Sequence, residues 1–157
     1  MMEIERKFVI QSVPEGVSSG RKIIQGYLWF DPEVRLRKIG GEHKLTIKSE
    51  GTLTREESEH DIPEELFSLL WPLVGSKVVR KTRHLLDYDD LVLEIDVYSG
   101  KHEGLITIEC EFQTVEEAER FELPDWIGPA VDVTYDSRYR NKELSGSGTT
   151  IDLGLLK

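Results

Sequence analysis

The chain has 157 residues, 38% of them hydrophobic and 32% charged, which suits one soluble globular domain that buries a core without disulfides; Cys110 is its only cysteine. A net charge of −10 argues against nucleic acid or an anionic membrane as partner, and against any polyanion unless the basic residues cluster. No stretch approaches the roughly 18 apolar residues of a membrane helix, and the start MMEIERKF lacks the apolar run of a signal peptide, so a cytoplasmic location is expected.

Taken in chain order, period-two alternation predicts a strand over Met2–Ile10 and a second over Lys22–Phe30, ended by Asp31-Pro32. Glu33–Ile39 and Glu42–Ser49 flank Gly40-Gly41, a two-residue hairpin signal. A fifth strand is expected over Thr54–Ile62. Asp61–Trp71 reads as a short helix with Pro63 in its first turn, Glu64 and Glu65 at its positive end, and Pro72 as the stop. Lys77–Asp87 and Leu91–Ser99 form another hairpin, and Leu105–Gln113 is the eighth strand. Thr114 and Glu117 form a capping box for a further helix, and Asp136 is placed to cap a last one through Leu144. Residues 1–144 are thus read as one domain. Residues 145–157 are read as a Gly/Ser/Thr-rich tail with an apolar end, docked or disordered. Eight strands of even length in hairpin order predict a mainly β protein, an antiparallel barrel or strongly curved sheet with a few short helices.

The informative feature is the charge carried by one parity of each strand. Like-signed residues recur two apart: Glu3 and Glu5; Arg35 and Arg37; Glu57 and Glu59; Lys81 and Arg83; Glu94 and Asp96; Glu109 and Glu111. Lys7 and Lys48 share parity with their strands' charged residues. A solvated sheet face is the ordinary explanation for any one strand. Same-face neighbours sit roughly 7 Å apart, however, and repel by about 0.6 kcal/mol in water and roughly 2 at an effective dielectric near 20. An ordinary surface would intersperse the signs. Carboxylate pairs from different strands can converge on Mg²⁺ or Mn²⁺, and Arg and Lys pairs can clamp phosphate oxygens. A closed sheet would bring both sets around one axis. Its apolar parity would then face outward and need cover that three short helices hardly provide.

Glu3-Ile4-Glu5-Arg6-Lys7 has the form ExExK. With Gln25-Gly26-Tyr27-Leu28, Leu36-Arg37, Leu45-Thr46-Ile47-Lys48-Ser49-Glu50-Gly51, Leu70-Trp71-Pro72, Lys81-Thr82-Arg83, Glu94-Ile95-Asp96-Val97 and Arg138-Tyr139-Arg140-Asn141-Lys142, the chain resembles the CYTH superfamily of triphosphate tunnel metalloenzymes. Within it, the small bacterial inorganic tripolyphosphatases are most similar. The resemblance implies an eight-stranded antiparallel tunnel barrel. It implies Glu3, Glu5, Glu109 and Glu111 as metal ligands for Mg²⁺ or Mn²⁺. It implies Arg35, Arg37, Lys48, Lys81, Arg83 and Arg138, beside Lys7, as the phosphate clamp, and Glu57, Glu59, Glu94 and Asp96 as further tunnel carboxylates. Lys7 and Tyr27 correspond to a catalytic dyad associated with hydrolysis of inorganic triphosphate to pyrophosphate and phosphate.

The sequence holds no GxSxG elbow and no Walker A loop. Positioning and charge compensation suffice for phosphoryl transfer. A class IV-type adenylate cyclase and a thiamine or nucleoside triphosphatase remain alternatives among enzymes, and a polyphosphate-binding module outside them. A small-molecule polyphosphate is the expected partner of a monomer or homodimer. His43, His60, His84 and His102 are scattered without metal-type spacing and are expected to be solvated or in loops. Trp29, Trp71 and Trp126 are expected to pack.

Overall fold

The alternation becomes nine strands and three short helices in the structure, a computed structural model that describes residues 2–51 and 53–146. The strands are β1 (Met2–Ile10), β2 (Arg21–Phe30), β3 (Glu33–Ile39), β4 (Glu42–Lys48), β5 (Thr54–Asp61), β6 (Val78–Tyr88), β7 (Leu91–Ser99), β8 (Ile106–Glu111) and β9 (Ala130–Asp132). The helices are α1 (Glu64–Leu70), α2 (Val115–Arg120) and α3 (Asn141–Gly146). All strand pairs are antiparallel, in the order β5-β4-β3-β2-β6-β7-β8-β1-β9, and β5 also pairs with β1. That last pairing, Glu3 opposite Arg55, closes the first eight strands into a barrel. Gly40 turns the β3–β4 hairpin with φ +57°, a conformation glycine adopts without a side-chain penalty.

The apolar residues gather in three clusters, the first two of which cover the outward parity. Leu36 of β3 packs under Phe67 of α1 and Val74 of the following 3-10 turn. Gly26 of β2 makes room here, since a Cβ at that position would lie 2.8 Å from both Val74 methyls. On the opposite side Leu93, Ile95, Ile108 and Cys110 are buried against Ile127, with Phe112, Phe121 and Leu123 packed around them. The third cluster lies partly inside the barrel, at one end. Val9, Val79 and Tyr98 point inward there and pack against Tyr139 and Leu144, so the segment leading into α3, and α3 itself, close that end. Short helices suffice because each covers only a few strands and the barrel end holds its own apolar plug.

Some elements differ from expectation. Asp61 stays in β5, where it faces Lys44 of β4 and pairs with it at 2.5 Å; α1 therefore starts only after Pro63. Pro72 does not stop the chain's helical course. It sits in the first turn of a 3-10 helix, Trp71–Val74, where a missing N–H leaves no bond unmade. Asp136 does cap, but it caps a 3-10 turn (Ser137–Tyr139), its carboxylate accepting from the Arg138 N–H; α3 begins separately at Asn141. The capping box forms as expected, with the Glu117 N–H donating to Thr114 Oγ1 at 3.2 Å. β9 is too short to carry an alternation signal. Ser145 and Gly146 complete α3, and the rest of the tail lies outside the described residues.

Candidate active site

Ring order sorts most of the inward charges into two walls, with Lys7 and Arg55 as bases on the acidic side and Glu33 as an acid on the basic side. β7, β8, β1 and β5 are consecutive and carry Glu94 and Asp96, Glu109 and Glu111, Glu3 and Glu5, and Glu57 and Glu59. β4, β3, β2 and β6 are consecutive too and carry Lys48, Arg35 and Arg37, and Lys81 and Arg83, with neutral Gln25 and Tyr27 between the last two pairs. Between the walls lies a cavity of ≈ 180 Å³ lined by these charges.

On the acidic wall, Glu5 faces Glu111 across the β1–β8 ladder. One carboxylate oxygen from each of Glu3, Glu5 and Glu111 lies within 4.8 Å of the others. Burial pushes Glu5 up to about 8, with Glu109 and Glu3 adding repulsion. Glu111 is raised by burial and by Glu3. Glu3 is held below the usual range in spite of its burial, by Lys48 at 3.0 Å and by Arg55 at 3.4 Å. Three converging hard oxygen donors, two of them short of compensating charge, fit a divalent ion such as Mg²⁺ or Mn²⁺. Glu109 is not brought into this group. It faces Lys7 in the same ladder, pairs with it at 3.2 Å and lies 4.0 Å from Arg83. Against its burial, Lys7, Lys81 and Arg83 hold it well below the usual carboxylate range.

On the basic wall, Arg83 forks onto Asp96 through Nε (2.8 Å) and Nη2 (2.9 Å) and donates from Nη1 to Glu94 (2.8 Å). Lys81 pairs with the same Asp96 at 2.8 Å, and burial lowers it to about 8, with Arg83 adding to the effect. Asp96 stays below its ordinary value through Lys81 and Arg83, although fully buried. Burial, then Arg35 and Arg83, lower Arg37 to about 10; its partner is Glu59 at 3.3 Å. Arg35 is buried, with its Nε unpartnered. The base wall is thus crowded with like charge that an anion would relieve. Glu57 is pushed up to about 7 by burial and by a hydrogen bond with Glu3, and Glu94 is raised by burial.

Lys7 and Tyr27 sit on β1 and β2, four strands apart either way around the ring. Lys7 Nζ donates to the Tyr139 carbonyl at 2.7 Å. Although burial opposes it, Tyr98 and Glu109 raise Lys7 above its ordinary value and keep it charged. The Tyr27 hydroxyl accepts from Gln25 Nε2 at 2.9 Å and from Arg35, and burial holds it protonated. Among the described residues no hydrogen bond joins the two.

Arg138 does not line the cavity. Its side chain is 77% exposed and pairs with Asp136 at 2.6 Å within the same turn. Arg140 lines it instead, donating to the Gly51 carbonyl. Sequence reasoning also missed Arg55 and Glu33. Arg55 shares parity with Glu57 and Glu59, which was the available signal. None of the four histidines and none of the three tryptophans lines the cavity. His102 lies in the turn between β7 and β8, as a loop histidine, but is buried there, its Nε2 donating to the Leu144 carbonyl at 2.6 Å; Trp29 is exposed against expectation, whereas Trp126, though exposed, packs edge-on against Tyr88. His102 thereby supplies a donor to one of the last carbonyls of α3.

No model of a known protein family matches the chain. Individual proteins do. An inorganic triphosphatase of Nitrosomonas europaea is 40% identical over 149 residues, spanning 92% of this chain and 97% of that protein. An inorganic triphosphatase of Acetivibrio thermocellus is 35% identical over 147 residues, spanning 90% and 92%. Among solved structures, that of an inorganic triphosphatase superposes with a TM-score of 0.69 at 38% identity over 92% of this chain and 95% of that one. A Hippeastrum protein described as having a dominant triphosphatase activity shares the fold at a TM-score of 0.57 and 16% identity, over 74% and 82%.

Proposed function

The chain belongs to the inorganic triphosphatase family, and from that premise we propose that it hydrolyses inorganic triphosphate to pyrophosphate and phosphate between its two charged walls, with Mg²⁺ or Mn²⁺ on Glu3, Glu5 and Glu111. The observation that carries this reading is the segregation of the walls: a linear polyanion and a cation fit side by side only where bases and acids face each other. The divalent ion, when bound, neutralises phosphoryl oxygens and supplies a Lewis acid.

The chain's own groups do the rest. Arg35, Arg37, Lys81 and Arg83 bind phosphoryl oxygens; Glu59 pre-sets Arg37, Asp96 pre-sets Lys81 and Arg83, and Glu94 adds to the hold on Arg83, so little reorganisation of these three accompanies reaction. Lys7, fixed by Glu109 and the Tyr139 carbonyl, presents a permanent positive charge from the acidic side. Tyr27 accepts from two donors, so its own proton is left for a phosphoryl oxygen. Lys7 and Tyr27 thus approach the substrate from opposite walls. Pyrophosphate is too short to engage the whole clamp and is a poor substrate on this reading. The deciding experiment is ³¹P NMR of triphosphate, ATP and pyrophosphate with Mg²⁺ or Mn²⁺. Triphosphate should be cleaved with far the highest kcat/KM. Dominant formation of cyclic AMP from ATP would instead identify a cyclase.

A further inference from the structure

Arg55 stands inside the acidic wall, where a phosphate clamp has no use for it. It lies opposite Glu3 in the β5–β1 pairing that closes the barrel, so the backbone fixes its position. Its guanidinium touches three carboxylates. Nη2 is 3.4 Å from Glu3 and 3.8 Å from Glu5, and Nη1 is 3.3 Å from Glu33. Glu3 and Glu5 are two of the three residues whose oxygens converge as a metal set. Among the described residues Arg55 provides the sole ion pair of Glu5 and of Glu33, whereas Glu3 has Lys48 as well. The Arg55 side chain is 11% exposed and lines the cavity.

A guanidinium and a divalent ion cannot both occupy the space in front of Glu3 and Glu5 without strong repulsion. We propose that Arg55 is a built-in counter-ion that competes with the divalent metal: it neutralises Glu3 and Glu5 while no ion is bound, and swings off them into the cavity, still tethered to Glu33, when one arrives. The anchor is what makes this a switch. Glu33 is 4% exposed and lies at the start of β3, on the basic wall, so an arginine released from Glu3 and Glu5 is drawn toward the phosphate-binding side. Metal binding thereby moves one more positive charge toward the substrate. The inference rests on the metal reading given above.

The test is Mn²⁺ binding by calorimetry to metal-free protein without triphosphate, for the wild type, Arg55→Gln, Arg55→Lys and Glu33→Gln. Arg55→Gln should bind Mn²⁺ roughly tenfold or more tightly than the wild type, because the competing charge is gone. Its metal-free Tm should fall while the Tm rise produced by Mn²⁺ grows. Glu33→Gln should change affinity in the opposite direction, since Arg55 then rests wholly on Glu3 and Glu5. Arg55→Lys keeps the charge but cannot bridge both sides, and should fall between wild type and Arg55→Gln. Equal or weaker Mn²⁺ binding by folded Arg55→Gln would overturn the inference, since Arg55 would then be shaping the site rather than contesting it. If Arg55→Gln does not fold, unchanged or tighter binding by Glu33→Gln has the same force. A wild type that binds no Mn²⁺ would remove the metal reading and this inference together, an outcome told apart because the parent protein, not the variant, fails.

Discussion

Two arginines allow a sharp separation of structure from chemistry. Arg6 lies in the outward parity of β1. Its Nη1 donates to the carbonyls of Ala118 and Phe121 at the end of α2, its Nη2 pairs with Asp132 at 2.7 Å, and it stacks over Phe8. Arg6→Ala removes the donor of the Phe121 carbonyl and one of two donors to the Ala118 carbonyl, which keeps the Phe121 N–H, and to Asp132, which keeps the Thr134 N–H. Asp132 is 41% exposed, so water recovers most of its share. The Phe121 carbonyl and the lost packing give about 1–3 kcal/mol, or a Tm lower by roughly 2–12 °C for a chain of this size. Arg37 is the converse case. Its ion pair with Glu59 is offset by crowding from Arg35 and Arg83. Arg37→Ala should leave Tm nearly unchanged, or raise it. It should lower kcat/KM for triphosphate about 10- to 150-fold, the loss of one charge-assisted contact of roughly 1.5–3 kcal/mol. Calorimetric Tm and phosphate-release kinetics on both variants, below the lower Tm, decide the matter. If Arg6→Ala loses as much activity as Arg37→Ala while folded, the assignment of inward and outward roles is wrong.

Lys81, lowered to about 8 by burial, should lose its proton in the free enzyme near that pH, so kcat/KM falls above pH 8 and Lys81→Arg should extend the alkaline limb. Between about 8 and its ordinary 10.5, the unfolded chain holds a proton that the folded one has shed, so this group makes stability rise with pH; Lys81→Met should flatten that part of a Tm–pH curve. Glu5→Gln and Glu111→Gln should abolish turnover while raising the metal-free Tm through relief of repulsion, and turnover near the parent level at high and low metal would contradict the ligand assignment. Tyr27→Phe should slow triphosphate hydrolysis with little change in Tm, and an unchanged rate would dismiss the hydroxyl as a donor. Gly26→Ala should lower Tm, by about 1–3 kcal/mol of overpacking against Val74, without altering the activity of the folded fraction.

The strands, the barrel and most of the cavity's residues were legible because one rule, alternation, ties charge to one face of each strand. Alternation states which face a residue takes but not which strands are neighbours. The two walls therefore emerge only from ring order, in which β5 joins β1 and β2 lies between β3 and β6. The split between Glu111 and Glu109 is a matter of register: one faces Glu5 and the other Lys7. Arg138 and Arg140 lie in an irregular segment without periodicity, where nothing local tells which of them turns inward. Arg55 was visible as a base among acids of one parity, but its partners Glu3 and Glu33 come from strands far away in sequence.

β1 takes partners along its whole length: β5 over residues 2–4, β8 over 5–9 and β9 over 8–10. In a growing chain it is made before the other eight strands, and β8 follows about a hundred residues later. At ~5–20 residues per second, the segment bearing ExExK waits on the order of 5–20 s for the strand that completes its ladder. Glu111 is the last of the three converging carboxylates to be synthesised, so no divalent ion can be gathered by them until the ring is nearly whole. On the proposed metal reading, capture of an ion by these three carboxylates would therefore come at the end of assembly during synthesis. A fragment ending before β8 would carry the complete ExExK motif but lack Glu111, the third carboxylate of the proposed metal set.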